Sequence, residues 1–324
     1  MASERPDRTG VAFAQPQISP RWVVEICRQV ADRLGSISRI RGIALGGSRA
    51  RGTARDDSDI DLALYYDPDA PFAIEQLEAA ARELDDRHSS GLITPIGAWG
   101  PGVNGGGWLF VDAHPVDLLY RDLRRVRTVI EQCLRGEIDA MYQLGHPLGF
   151  QNQIYIGEAH FCCPVYDPAG ELAELKQMAK VYPERMRRAL ADKHLFDAQF
   201  EIEIAAGPAS RGDTVYTSQC LARATGFMVL VLYALNRRFF LNEKNAFVES
   251  RSFHLRPPNF HREVEQVLGS LGNSRNELER SVAAMRAVAK TLLDFCTLHY
   301  AADQPNEQNA ATRNQFGARL GKPF

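Results

Sequence analysis

Two aspartates flank a single apolar residue in Asp59-Ile60-Asp61, and ten residues, Arg49 to Ser58, separate them from a Gly46-Gly47-Ser48 turn. The apolar pattern predicts strands over Ile40–Leu45 and Ile60–Tyr65. A strand alternates its side chains between two faces, so Ile60, Leu62 and Leu64 share one face and Asp59 and Asp61 the other. Two neighbouring carboxylates repel. A divalent cation removes that cost, and Mg²⁺ is held by just such a set, carboxylates together with substrate phosphates. Gly46 and Gly47 let the backbone take unusual dihedrals and come close to a ligand. Ser48 adds a hydroxyl, and successive N–H groups of a turn make a nest for an anion. The chemistry implied is the binding of a nucleoside triphosphate with its metal. A plain hairpin with surface acids is the bland alternative, and the coincidence of three features at fixed spacing argues against it.

The elements that must position these residues follow from periodicity. Arg21–Leu34 is predicted as a helix, with Trp22, Val23, Ile26, Val30 and Leu34 as its inner face. Ser19-Pro20 caps its start and Gly35 ends it. Phe72–Arg87 is predicted as a second helix, and residues 88–107 as a Gly-, Ser- and Pro-rich connection with a short strand at Leu92–Ile96. Gly105-Gly106-Gly107 opens a hairpin with arms Trp108–Asp112 and Val116–Tyr120. In the second arm Asp117 interrupts the apolar set Val116, Leu118 and Tyr120, where a charge is costly without a partner. Arg121–Leu134 is predicted as a helix whose Arg124, Arg125 and Arg127 lie on a solvated face or reach a phosphate.

This constellation resembles the nucleotidyltransferase superfamily named after DNA polymerase β. The family's signature is an apolar-Gly-Gly/Ser turn, a gap, and then Asp-apolar-Asp. Gly47-Ser48 and Asp59-Ile60-Asp61 match it residue by residue, and the likeness covers roughly the first 125 residues. The resemblance implies an α/β domain with a short mixed sheet. It also implies a third carboxylate on a later strand, assigned to Asp117 with Asp112 as the alternative. Asp59, Asp61 and Asp117 would then hold Mg²⁺, two ions in all. Gly46, Gly47, Ser48, Arg49 and Ser58 would lie at the nucleotide, with Arg51 close by, and ATP would be the co-substrate.

Beyond an irregular stretch between Gly136 and Gly170 the chain reads as helical, and a domain boundary is expected near residue 150. A long helix is predicted from Pro183 to Ala206, broken by Gly207-Pro208. Another runs from an Asp213 cap to Arg237, and an amphipathic one spans Ser274–His299. Residues 211–246 resemble the helical domain of the streptomycin/spectinomycin adenylyltransferases. That implies an acceptor-facing role for Asp213 and an ATP-reaching role for Lys244. An ordinary helix cap and a surface lysine remain open for the two. The general base for an acceptor hydroxyl is among Asp117, Glu201 and Glu203, and the kanamycin-type enzymes point to Glu201.

The domain plan is therefore a nucleotidyltransferase domain over 19–150 and a helical-bundle, substrate-binding domain over 151–302. Disordered segments are expected over 1–18 and 303–324. The chain has 324 residues and a formal net charge of −2, which argues against a dedicated nucleic-acid binder with a large basic surface. The longest apolar run, Phe227–Leu235, is too short to span a bilayer, and no signal peptide is expected at Met1. None of the six cysteines stands in C-x-x-C spacing, so no zinc site and a reducing, cytoplasmic setting are expected. The function expected is transfer of AMP from Mg-ATP to a small hydroxylated acceptor such as an aminoglycoside, which would imply antibiotic resistance. The same chemistry on tRNA or protein, and a non-catalytic nucleotide-binding module, are the alternatives. The oligomeric state is not written in the sequence.

Overall fold

The apolar stripe of the first predicted helix becomes α1 (Arg21–Leu34), which buries Val23, Ile26, Cys27, Val30, Ala31 and Leu34. The computed structural model describes residues 20–302. Ser19, expected to cap α1, lies outside them, as do the segments 1–18 and 303–324 expected to be disordered. After α1 come β1 (Ile40–Leu45), the short helix α2 (Gly47–Arg51), β2 (Ile60–Tyr66), α3 (Ile74–Leu84), β3 (Gly106–Val111), β4 (His114–Asp122) and α4 (Leu123–Arg135). Next are β5 (Ala140–Met141), β6 (Phe150–Gln151), α5 (Gln153–Phe161), β7 (Cys163–Tyr166) and α6 (Glu171–Met178).

These elements form a five-stranded mixed sheet in the order β3-β4-β2-β1-β7. Only β2 and β4 run parallel; β1 is antiparallel to β2 and β7, and β3 to β4. One face is apolar. There Ile43, Leu45, Ile60, Leu62, Leu64, Val116, Leu118 and Tyr120 join the inner sides of α1 and α3 in one core. Strand alternation sends Asp61, Ala63, Asp117 and Leu119 to the opposite face. Further along that face, Arg121 meets Glu158 of α5.

The chain divides into two compact units, and the division corrects the expected boundary. Residues 139–181 belong with the first unit, because β7 pairs with β1 and α6 contacts β1. The second unit is residues 134–138 together with the chain from Tyr182. Residue 150 marked only the onset of irregular pattern, and a four-residue strand containing Pro164 carries little local signal.

The second unit is helical: α7 (Glu184–Ser210), α8 (Thr214–Leu235), α9 (Ala246–Glu249), a 3₁₀ turn at Ser250–Ser252, α10 (Phe260–Gly269) and α11 (Arg275–Ala302). The three long helices α7, α8 and α11 each pack against the other two. The helix expected to stop at Ala206 continues through Pro208 to Ser210. A proline this close to a helix end removes one N–H while its carbonyl still accepts from Arg211 and Asp213. α8 is long and apolar enough to cross a membrane by length and composition alone, but 72% of its most apolar stretch is buried within the protein. All six cysteines are buried and free.

Candidate active site

The first unit gathers the signature residues at one end of the sheet's polar face. β1 ends at Leu45, and Gly46 donates its N–H to the Asp61 carbonyl at 2.8 Å. Gly47 then turns with φ +59°, a left-handed conformation that glycine adopts without cost. A β-carbon there would fall 1.8 Å from Asp61 Oδ2. Gly47 thus stands directly against the Asp61 carboxylate. The Ser48 carbonyl accepts from the Thr53 N–H at 3.0 Å, which fixes the far end of the turn.

Asp61 and Asp117 are register partners on the parallel pair β2 and β4, so their side chains stand side by side on one face. Asp59 differs from the expectation. It precedes β2, is exposed, and sits on the loop entering the strand. It is still close enough to act on Asp117. Burial, and then the charge of Asp59, push the Asp117 carboxyl up to about 6.

Arg49 and Ser58 have partners of their own within the loop that leads into β2. Arg49 is only 7% exposed. Its Nε donates to the Asp59 carbonyl at 3.1 Å and its Nη2 to the Ser58 carbonyl. The guanidinium lies over the Trp22 ring, 4.6 Å from its centroid, and Trp22 stacks on His114 at 3.8 Å. Arg49 is thus a clamp on the loop that delivers Asp59. The Ser58 hydroxyl accepts from the Arg55 N–H at 2.9 Å, closing a turn in the same loop. Nothing in the sequence pattern separated a phosphate-facing arginine from a loop clamp; the stacking partners Trp22 and His114 lie 27 and 65 residues away from Arg49 in the chain.

Glu201, Glu203, Asp213 and Lys244 belong to the second unit. Glu201 on α7 is paired with Arg223 at 2.9 Å, and Glu203 with Arg286 at 2.7 Å. The Arg286 hydrogen bond holds the Glu203 carboxyl below its usual range. Asp213 caps α8, accepting from the Tyr216 N–H at 3.0 Å. Lys244 is exposed. Asp112, the alternative third carboxylate, stands at the β3–β4 turn with φ 50°, and its backbone N–H donates to Asp86 Oδ1 at 3.1 Å. It does not share the Asp61 register.

Among the described residues, no three or more His, Cys, Asp or Glu side chains are gathered as a ready-made metal site. The three-carboxylate cluster expected from the motif is therefore not closed, because Asp59 lies outside the strand. The donors nonetheless fit Mg²⁺ by type. Asp61 and Asp117 offer hard oxygen side by side, and the upward push on Asp117 is what a cation would relieve.

Residues 27–93 match the family model described as nucleotidyltransferase domain. With the fold and the aspartate pair, that match identifies the first unit as a polymerase-β-like nucleotidyltransferase domain followed by a helical region. Among solved structures, one similar chain is a nucleotidyltransferase-like protein from Exiguobacterium sibiricum. It has 11% identity and a TM-score of 0.47, covering 92% of this chain and 91% of that one. Another is an aminoglycoside 6-adenyltransferase from Bacillus subtilis, with 11% identity and a TM-score of 0.27, covering 92% and 98%. No curated protein matches the chain.

Proposed function

We propose that this chain transfers a nucleoside monophosphate, AMP from Mg-ATP, to a hydroxyl of a small acceptor, releasing pyrophosphate. The observation that carries the reading is the register pair Asp61–Asp117 on parallel strands, with Gly47 packed against Asp61. Asp59, Asp61 and Asp117 are the residues that would hold Mg²⁺, which when bound neutralises phosphate charge. Gly46, Gly47 and Ser48 present backbone and hydroxyl to the phosphates. Asp117, side by side with Asp61 on the same face, is placed to take the acceptor's proton. Glu201 and Glu203 are each tied to an arginine and are weaker candidates for that step. Catalysis here is chiefly positioning and charge.

A polynucleotide acceptor finds little support in the basic cluster of α4. Arg124 pairs with Asp69 and Arg127 with Glu174, so the cluster is largely neutralised.

The test is incubation of the purified chain and Mg²⁺ with labelled ATP, GTP, CTP or UTP against aminoglycosides, tRNA and cell lysate. Label from ATP should reach a small acceptor, and Asp59→Asn and Asp61→Asn should each abolish that transfer. Asp117→Asn should slow chemistry more than it weakens ATP binding. Wild-type rates in the Asp61 variant would overturn the assignment.

A further inference from the structure

We infer that Trp108 and Trp99 form the platform on which the acceptor's ring lies, beside Asp117. The inference rests on the proposed transfer reaction and adds to it a residue pair and a ligand shape.

The placement comes from register. Trp108 is the β3 partner of Asp117 in an antiparallel pair, so both side chains leave the same face of the sheet. Alternation agrees: Leu109 and Val111 enter the core, whereas Trp108 is 58% exposed. The exposed ring stands beside Asp117 as an aromatic surface open to a ligand. Trp99 stacks on it, with centroids 4.5 Å apart and planes 29° apart. Trp99 can lie there because Gly106, two residues before Trp108 on the same face, has no side chain. A β-carbon on Gly106 would meet the Trp99 ring at 2.8 Å and the Leu118 carbonyl at 1.8 Å.

The loop that carries Trp99 is held from several sides. The buried Gln143 side chain donates to the Trp99 carbonyl and accepts from the Gly102 N–H at 3.0 Å. The Tyr155 hydroxyl donates to the Gly102 carbonyl at 2.7 Å. Thr94 exchanges two hydrogen bonds with Gly106, each 3.0 Å. This is a built surface on a fixed support, which is what a binding subsite needs.

The occupant follows from the order across the sheet. The sequence of strands β3-β4-β2-β1 sets out Trp108, Asp117, Asp61 and then the Gly47 turn in a row. Neighbouring strands lie about 4.8 Å apart, so Trp108 stands roughly 10 Å from Asp61 on the side away from Gly47. With the leaving pyrophosphate at Gly47, an in-line attack must come from the opposite side. In that step the acceptor oxygen forms its bond to the α-phosphorus, the bond to the bridging oxygen breaks, and the hydroxyl proton passes to Asp117. The acceptor therefore arrives over Trp108. A flat aromatic pair next to carboxylates suits a cyclic polyol carrying amines: C–H groups on the ring face, ammonium over the π-cloud, and hydroxyl toward Asp117.

The test uses the full chain, with D-glucosamine, myo-inositol and sorbitol as probes of cationic ring, neutral ring and open chain. Tryptophan fluorescence should be quenched by glucosamine, less by inositol and not by sorbitol. Trp108→Ala should weaken glucosamine binding about tenfold or more, and Trp108→Phe should retain most of it. Calorimetric Mg-ATP affinity should stay within about twofold in both variants, a change of less than half a kcal/mol. Unchanged glucosamine binding in Trp108→Ala would overturn the platform. So would lost ATP affinity, which would make it a nucleobase site, or tighter Trp108-dependent binding of a CCA-ended RNA oligonucleotide. These titrations need no turnover. Absence of transfer in wild type with ring binding intact would count against the proposed reaction alone, and transfer without any Trp108 effect would count against the platform alone.

Discussion

Gly47 stands against Asp61 so closely that a β-carbon on the glycine would fall 1.8 Å from the carboxylate oxygen Oδ2. The glycine turn and the carboxylate are thus one structural feature. Gly47→Ala must push Asp61 off its place and also strain a residue with φ +59°. Strain of that kind costs about 1–2 kcal/mol. The expected outcome is a folded protein that has lost nucleotidyl transfer by about a hundredfold or more, the scale on which mispositioning acts. Gly46→Ala should leave Asp61 in place, because its β-carbon would come no closer than 3.8 Å to the Asp61 carbonyl. Parallel single-turnover rates and thermal melts check both, and a fully active Gly47→Ala would remove the coupling.

Asp117 gives a stability signature that depends on pH. Burial, and then Asp59, raise its carboxyl from the ordinary 3.8 to about 6 in the folded chain. A raised folded-state value favours the protonated form. Its contribution is therefore fully present below pH 3.8 and is lost as pH rises through about 6. Asn at this position carries no charge at any pH. The melting temperature of Asp117→Asn relative to wild type should therefore climb between pH 4 and pH 6 and level off above, a window set by the values 3.8 and about 6. Taking the difference between the two proteins cancels the other titrating groups. A gap that does not change with pH would contradict the electrostatic account of the site.

Arg121 supports the same sheet from further along β4. It is 3% exposed and grips Glu158 of α5 through two hydrogen bonds of 2.8 and 2.7 Å. It also donates to the Val103 and Tyr120 carbonyls, at 3.2 and 2.9 Å. Arg121→Met keeps the bulk but strands a carboxylate and two carbonyls. Breaking one side of a buried pair costs about 3–5 kcal/mol. Replacing Glu158 with Leu as well should recover part of that loss in urea unfolding. Equal stability of the single variant and wild type would show that the pair contributes nothing.

The sequence made the site legible where local pattern and chemistry coincide. Alternation placed β1, β2 and the hairpin of β3 and β4, and the charge inside an apolar strand singled out Asp117. It could not place what depends on contacts far apart in the chain. β7 is short, contains Pro164, and becomes a strand only because β1 offers it an edge. Trp108 read as the start of a hairpin arm; its value lies in sharing a face with Asp117 and Trp99, which needs register and the gap above Gly106. Arg49 looked like a phosphate ligand because it follows the signature serine, while its partners are carbonyls nine and ten residues on and an aromatic ring from α1.

Arg49 therefore offers a test between two physical roles. As a phosphate contact it would act as a positive charge, and Arg49→Lys would keep most of the ATP affinity that Arg49→Gln loses. As a clamp it works through geometry: a planar fork reaches the Ser58 and Asp59 carbonyls together while its face rests on Trp22. A lysine ammonium has no such fork and stacks less well. The structure supports the clamp, so Arg49→Lys and Arg49→Gln should fail alike. Each should lower the rate of transfer about tenfold to a hundredfold, since Asp59 would no longer be held in place. ATP affinity in the absence of Mg²⁺ should change little in either. Trp22→Leu, which removes the surface under the guanidinium, should show the same pattern more weakly. Rates of transfer and metal-free ATP titrations on the three variants decide the matter. Rescue of full activity by lysine alone would return Arg49 to the phosphate.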